Sequence, residues 1–220
     1  MHRVLFLLPL LFTSATFAND GPIEHWAKAV GGRNKIAAIK SIYREGTLEL
    51  AGREGTIKVW HTADGKYRKE ETLGPLSSIE IFDGNNASVQ ENGSPPRKLA
   101  NGELELARSK AFTNSNAIFF VFFPERHRGS RIEEENAVRF KADGGVEWKV
   151  ILDPASSLPK TMVHEESGRT ITVAFDSYET VEGIKLEREI HRSAGSQAVV
   201  IRFTKTVINP PLEPSLFSTP

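Results

Sequence analysis

From residue 42 to residue 208 the sequence keeps returning to an alternation of apolar and polar residues with period two. Successive strand side chains point to opposite faces, so this period marks half-buried strands. Ile42, Gly46, Leu48 and Leu50 alternate with Tyr43, Glu45, Thr47 and Glu49, and Ile57 and Val59 continue in a second strand. Three more short strands follow at 67–73, 77–82 and 87–91. The second half repeats the pattern at 131–141, 146–152, 159–165, 170–176, 184–191 and 198–208. Asp64-Gly65, Asp83-Gly84, Asp143-Gly144-Gly145, Gly168, Glu182-Gly183 and Gly195 punctuate these runs, and such residues accept the positive φ of tight turns. About eleven strands joined by short turns predict an antiparallel meander. A sheet that long curls and leaves a concave face needing cover. The segment 102–123 is the candidate cover: Leu104, Ala107, Ala111 and Phe112 share a helical face, and the apolar run 117–123 follows. The fold class is mainly β (α+β), one strongly curved antiparallel sheet with helices packed in its concave face.

The ends of the chain read differently. Residues 1–18, MHRVLFLLPLLFTSATFA, carry one basic residue (Arg3), an apolar run, and small residues at 16 and 18. This is the pattern of a cleaved signal peptide, and the run is too short to span a bilayer. Residues 19–220 are then expected to form one exported domain, placed in the periplasm and monomeric. Pro22 opens a helix carrying Trp26, Ala27, Ala29 and Val30, Gly31-Gly32 ends it, and residues 34–39 resume it. The tail 210–220 is proline-rich and ends the sheet.

Composition limits the chemistry. The 220 residues hold 28 Lys+Arg, 28 Asp+Glu and no cysteine. Balanced charge excludes a polybasic nucleic-acid or membrane-surface binder. The missing cysteine excludes disulfides, thiolate nucleophiles and Cys-bound metal, and leaves no lipidated Cys to anchor the chain. The six histidines are scattered, with no metal-ligand spacing. No Gly-x-Ser-x-Gly elbow, dinucleotide fingerprint or phosphate loop is present. No enzyme activity, cofactor or metal site is expected. A hidden hydrolase would need histidines or carboxylates converging in a cleft.

The strand phase also assigns faces. Val146, Trp148, Val150 and Leu152 point one way. Arg44 is in phase with Ile42 and Leu48, and Arg188 with Ile184, Leu186 and Ile190. His61 and His164 are in phase with apolar neighbours. An unpaired charge in a core is costly, so these groups are paired, at the rim, displaced by a bulge, or facing a cavity. The candidate head-group contacts are Arg44 and Arg188. The candidate hydrophobic lining or plug is Phe112, Ile118, Phe119, Phe120, Phe122, Phe123 and Trp148.

The ordered set of Val30-Gly31-Gly32, Ile39-Lys40-Ser41-Ile42, Phe82-Asp83-Gly84, Leu152-Asp153-Pro154, Leu158-Pro159, Asp176-Ser177-Tyr178, 181–186 (VEGIKL) and 208–212 (INPPL) with Ser215-Leu216-Phe217 resembles the outer-membrane lipoprotein-sorting (LolA/LolB-like) superfamily. The likeness is to its broad periplasmic branch. It covers essentially the whole chain after residue 18. The resemblance implies an unclosed β-barrel that holds a lipid, or a lipoprotein's acyl chain, between sheet and helices. The expected role is a carrier or chaperone without catalytic activity. The alternative is a sensor or protein-interaction domain with a filled interior and a periplasmic or outer-membrane protein partner. Where the well-known carriers have an Arg-Pro pair after the first hairpin, this chain has Trp60-His61-Thr62, so that gating residue is not carried over.

Overall fold

The structure is a computed structural model describing residues 21–113, 118–126 and 128–219. The signal-peptide segment 1–18 lies outside the described residues.

Helix α1 (Pro22–Val30) starts on Pro22, whose fixed φ suits a first helical position, with Glu24 in its first turn and Lys28 in its last. Ile23, Trp26, Ala27 and Val30 are its buried residues, the i, i+3, i+4, i+7 stripe of an amphipathic helix. Gly31 ends it with φ 142, and a Cβ there would lie 2.4 Å from the Gly183 carbonyl oxygen. Both the conformation and the close approach require glycine. Helix α2 (Arg33–Ala37) leads into the sheet.

Thirteen strands follow: β1 (Ser41–Leu50), β2 (Arg53–Thr62), β3 (Tyr67–Leu73), β4 (Leu76–Phe82), β5 (Ala87–Glu91) and β6 (Arg97–Lys98), then β7 (Ser130–Glu134), β8 (Ala137–Lys141), β9 (Glu147–Leu152), β10 (Pro159–Glu166), β11 (Arg169–Val181), β12 (Ile184–Ala194) and β13 (Gln197–Ile208). They form one sheet in the order β6-β5-β4-β3-β2-β1-β13-β12-β11-β10-β9-β8-β7. Every recorded pairing is antiparallel. The first and last strands meet in the middle of the sheet, with Ile42 opposite Ile208. Strands β6 and β7 are its two free edges, so the barrel is not closed.

Two strands exceed the expected count, each for a local reason. The run 131–141 is a hairpin, because Glu135 and Asn136 form a two-residue turn with Glu134 opposite Ala137. Strand β6 is only two residues long, too short for any alternation to register.

Between the free edges the chain runs through helix α3 (Asn101–Thr113) and helix α4 (Ile118–Val121). Helix α3 contacts β4 and β5. It also reaches the opposite arm: Ser109 Oγ accepts a hydrogen bond from the Val146 amide at 2.8 Å, and Arg108 donates to the Gly144 carbonyl at 3.1 Å. It therefore bridges the open side of the curved sheet. All four residues of α4 are buried, as expected for a helix apolar on every face. Its last carbonyls are capped by cations: Arg33 donates to the Phe122 carbonyl at 2.8 Å and Arg131 to that of Val121.

Two irregularities set the direction of side chains. Strand β1 shifts register between Glu45 and Gly46. A Cβ on Gly46 would lie 2.0 Å from the Arg202 carbonyl oxygen, so only glycine fits. Strands β11 and β12 slip twice, between Phe175 and Ser177 and between Ser177 and Tyr178. Such a slip reverses which face later residues point to. Neighbours Leu186 and Glu187 are consequently both buried, and Arg188 is exposed. Among the described residues no helix is long and apolar enough to cross a membrane.

Candidate functional site

The curvature leaves a cavity of about 350 Å³ between the two arms of the sheet. This is at the small end of ligand sites, which run from roughly 300 to 1,000 Å³. Its apolar wall comes from inward positions on both arms, among them Leu48, Ile57 and Val59 on one side and Met162, Val173 and Phe203 on the other. They converge because the period-two phase holds across the sheet and the sheet is bent.

Arg44 and Glu187 occupy this wall as a buried ion pair. Arg44 Nη1 donates to Glu187 Oε1 at 2.5 Å, Nη2 donates to the Glu187 carbonyl, and Nε donates to Thr206 Oγ1 at 3.3 Å. The guanidinium also lies 3.6 Å from the centre of the Phe203 ring. Burial lowers the Arg44 pKa and raises that of Glu187, and each partner's charge opposes the shift in the other. Glu187 Oε2 has no hydrogen-bond partner.

Both inward histidines also line the cavity. His61 is 1% exposed and neither ring nitrogen has a partner. Burial first, and the nearby Arg44 charge second, push its pKa down to about 3. His164 stacks on Trp148 with ring centroids 3.7 Å apart, and its Nε2 is 3.5 Å from Glu166 Oε2. The hydrogen bond from His164 is the leading influence holding Glu166 down at about 2. Trp148 is 5% exposed and its Nε1 donor is unpartnered.

More charges line the cavity, and each is matched. Lys69 lies 2.9 Å from Glu71, Arg192 lies 2.7 Å from Glu166, and Lys110 of α3 lies 3.2 Å from Glu80 on β4. Burial lowers the Lys110 pKa, against the pull of Glu80.

Of the residues singled out in the sequence, Trp148 and Arg44 are on this wall and the others are not. Phe119, Phe120, Ile118 and Phe122 are buried in the core beside it. Phe122 meets Trp26 of α1 edge-on at 5.1 Å, and Phe120 packs on Phe112 and Phe140 at 6.1 and 5.2 Å. Phe123 is half-buried against the same core. These rings fill part of the concave face, so the cavity occupies what they leave. Arg188 is the clear correction: the slips in β11 and β12 turn it outward and put Glu187 on the inner face instead. Strict alternation hid Glu187, and nothing in the local sequence announces the double slip.

Histidines and carboxylates therefore do converge in a cleft. However, no Ser or Thr is among the described residues lining it, so it offers no hydroxyl nucleophile. On the other side of the sheet from Glu187, Asp176, Glu189 and His191 bring three potential metal-ligand atoms within 4.8 Å of one another. They are already matched internally: His191 Nε2 is 3.0 Å from Asp176, and Arg202 is 3.2 Å from Glu189.

No family model matches the chain by sequence, and no curated protein does either. Solved structures do match in shape. A LolA superfamily protein from Nitrosomonas europaea aligns with a TM-score of 0.56 at 10% identity, over 90% of this chain and 96% of the other. A putative outer membrane lipoprotein-sorting protein domain from Vibrio parahaemolyticus gives 0.53 at 9%, over 87% and 95%. A DUF1329 family protein from Desulfovibrio piger gives 0.52 at 8%, over 90% and 95%. At the level of fold these likenesses bear out the resemblance seen in the sequence: the chain has the unclosed antiparallel half-barrel of the LolA-like, lipoprotein-sorting proteins.

Proposed function

We propose that this protein is a periplasmic binding protein for a lipid or a lipoprotein acyl chain, acting as a carrier or chaperone. The observation that carries the reading is the cavity itself: an apolar-walled space of about 350 Å³ survives inside a sheet whose remaining concavity is filled by α1, α3 and α4. A natural core rarely keeps so large a void, because interiors pack to crystal density. Burying an acyl chain gains about 0.8 kcal/mol per CH₂, so such a void has a strong use. The likeness to lipoprotein-sorting folds supports the reading, and the export pattern of residues 1–18 supports the periplasm.

Binding is favoured over catalysis. The wall has no hydroxyl nucleophile among the described residues, and a His61 with pKa near 3 is a poor base at neutral pH. The test is native mass spectrometry of gently purified protein, with displacement of a fluorescent fatty acid. A co-purifying lipid, or saturable displacement, is expected. Protein that carries nothing and binds no probe sinks the reading.

One observation favours a second reading, a sensor or protein-interaction domain. Phe119, Phe120 and Phe122 already fill much of the concave face. On that reading a periplasmic pull-down recovers a protein partner, and the probe does not bind.

A further inference from the structure

The cavity wall is not uniformly apolar. Three side chains lining it, each more than nine-tenths buried, hold polar atoms without a hydrogen-bond partner: both nitrogens of His61, Nε1 of Trp148 and Oε2 of Glu187. His164 Nδ1 is a fourth such atom. Buried polar groups in folded proteins are nearly always satisfied, and exceptions call for a missing water, ion or ligand. Each of these atoms lies on a different strand: β2, β9, β12 and β10. Both arms of the sheet thus contribute, which is the arrangement of a site built around an occupant.

The charges decide what kind of occupant. Every cation on the wall faces a carboxylate within 3.2 Å: Arg44 on Glu187, Lys69 on Glu71, Arg192 on Glu166 and Lys110 on Glu80. An anionic head group would have to break one of these pairs or lie beside the carboxylates. The unpartnered atoms, by contrast, include an indole donor, a carboxylate acceptor and an imidazole that offers one donor and one acceptor. A group that both donates and accepts, and carries no charge, satisfies them.

We propose that the cavity binds an uncharged amphiphile whose hydroxyl, ester or amide groups sit inside it on His61, Trp148 and Glu187, with its hydrocarbon on the Val59 and Met162 walls. This rests on the reading of the cavity as a lipid site and narrows the lipid to a neutral, hydrogen-bonding class such as the acylglycerols.

The experiment compares monolaurin with laurate, two ligands of equal chain length, by titration calorimetry on the intact protein at neutral pH. Monolaurin should bind about tenfold tighter, a difference of about 1.4 kcal/mol. His61→Phe should shrink that ratio towards unity, and Trp148→Phe does the same job should the first variant not fold. Circular dichroism melting checks that each variant is folded. Equal binding of the two ligands, tighter binding of laurate, or a ratio unchanged in a folded variant overturns the polar site while leaving the lipid reading intact. Failure of the wild-type protein to bind either ligand overturns both.

Discussion

Removing the guanidinium of Arg44 would strand the Glu187 carboxylate in a site that water barely reaches. Breaking one half of a buried pair costs about 3–5 kcal/mol, whereas replacing both halves with apolar groups is often neutral. Arg44→Met should therefore cost about that much in urea unfolding, and Arg44→Met with Glu187→Leu should recover most of it. His61 makes a separate, pH-dependent contribution. Its folded pKa is about 3 against a model value of 6.5, so between those values the unfolded chain binds a proton that the folded chain refuses. Stability then falls as pH drops from 6.5 towards 3, by up to about 1.4 kcal/mol per pH unit. Glu166, held near 2, acts in the same direction below pH 4.5. His61→Gln should flatten the upper part of the stability curve and leave the Glu166 part in place, as read from melting temperatures across that range. At this scale the sequence is a good guide wherever the strand phase runs unbroken. Arg44, His61, His164 and Trp148 all face inward as their alternation requires. Arg188 fails because a register slip is a property of two strands together, and neither strand's own pattern shows it.

Helix α4 is the element whose role the structure changes most. Its apolar run invites the idea of a gate over a ligand, yet Phe120 is fully buried against Phe112 and Phe140. A Cβ on Gly129 would lie 2.1 Å from the Phe120 ring, so there is no slack around it. Phe120→Ala should cost about 3–5 kcal/mol as a cavity-forming core change, measured by denaturant unfolding, while the folded protein keeps its ligand affinity. A large loss of affinity at intact stability would restore the gate. Helix α3 was legible as a cover from Ala107, Ala111 and Phe112, which are buried as their spacing requires. What it covers was not legible, since the register between arms that brings Val146 to Ser109 is a long-range fact. The hairpin at 135–136 was missed for a similar reason: Glu-Asn is a weak turn signal compared with Asp-Gly.

Across the whole molecule, stability should be graded from the middle of the sheet to its edges. Strands β1 and β13 are paired on both sides, whereas β6 and β7 each have a single partner. Hydrogen exchange should find the β1 and β13 amides opening only with global unfolding, and those of β6, α3 and β7 opening earlier. Uniform protection across all these segments would contradict this gradient. An early-opening side bridged by α3 also gives a ligand a route to the cavity without dismantling the core.

The pairing of Ile42 with Ile208 has a kinetic consequence. Strand β1 leaves the ribosome first among the strands, but one of its two neighbours is made last. Each arm can form its local hairpins early, but the sheet stays in two halves until residues 197–208 arrive. Contacts this distant in sequence slow folding, with β-rich domains typically taking milliseconds to seconds. A chain that cannot complete its structure from a partial length stays threadable while it is being moved through a membrane pore. The central seam thus works as a timer: the molecule becomes whole only when its last strand is delivered.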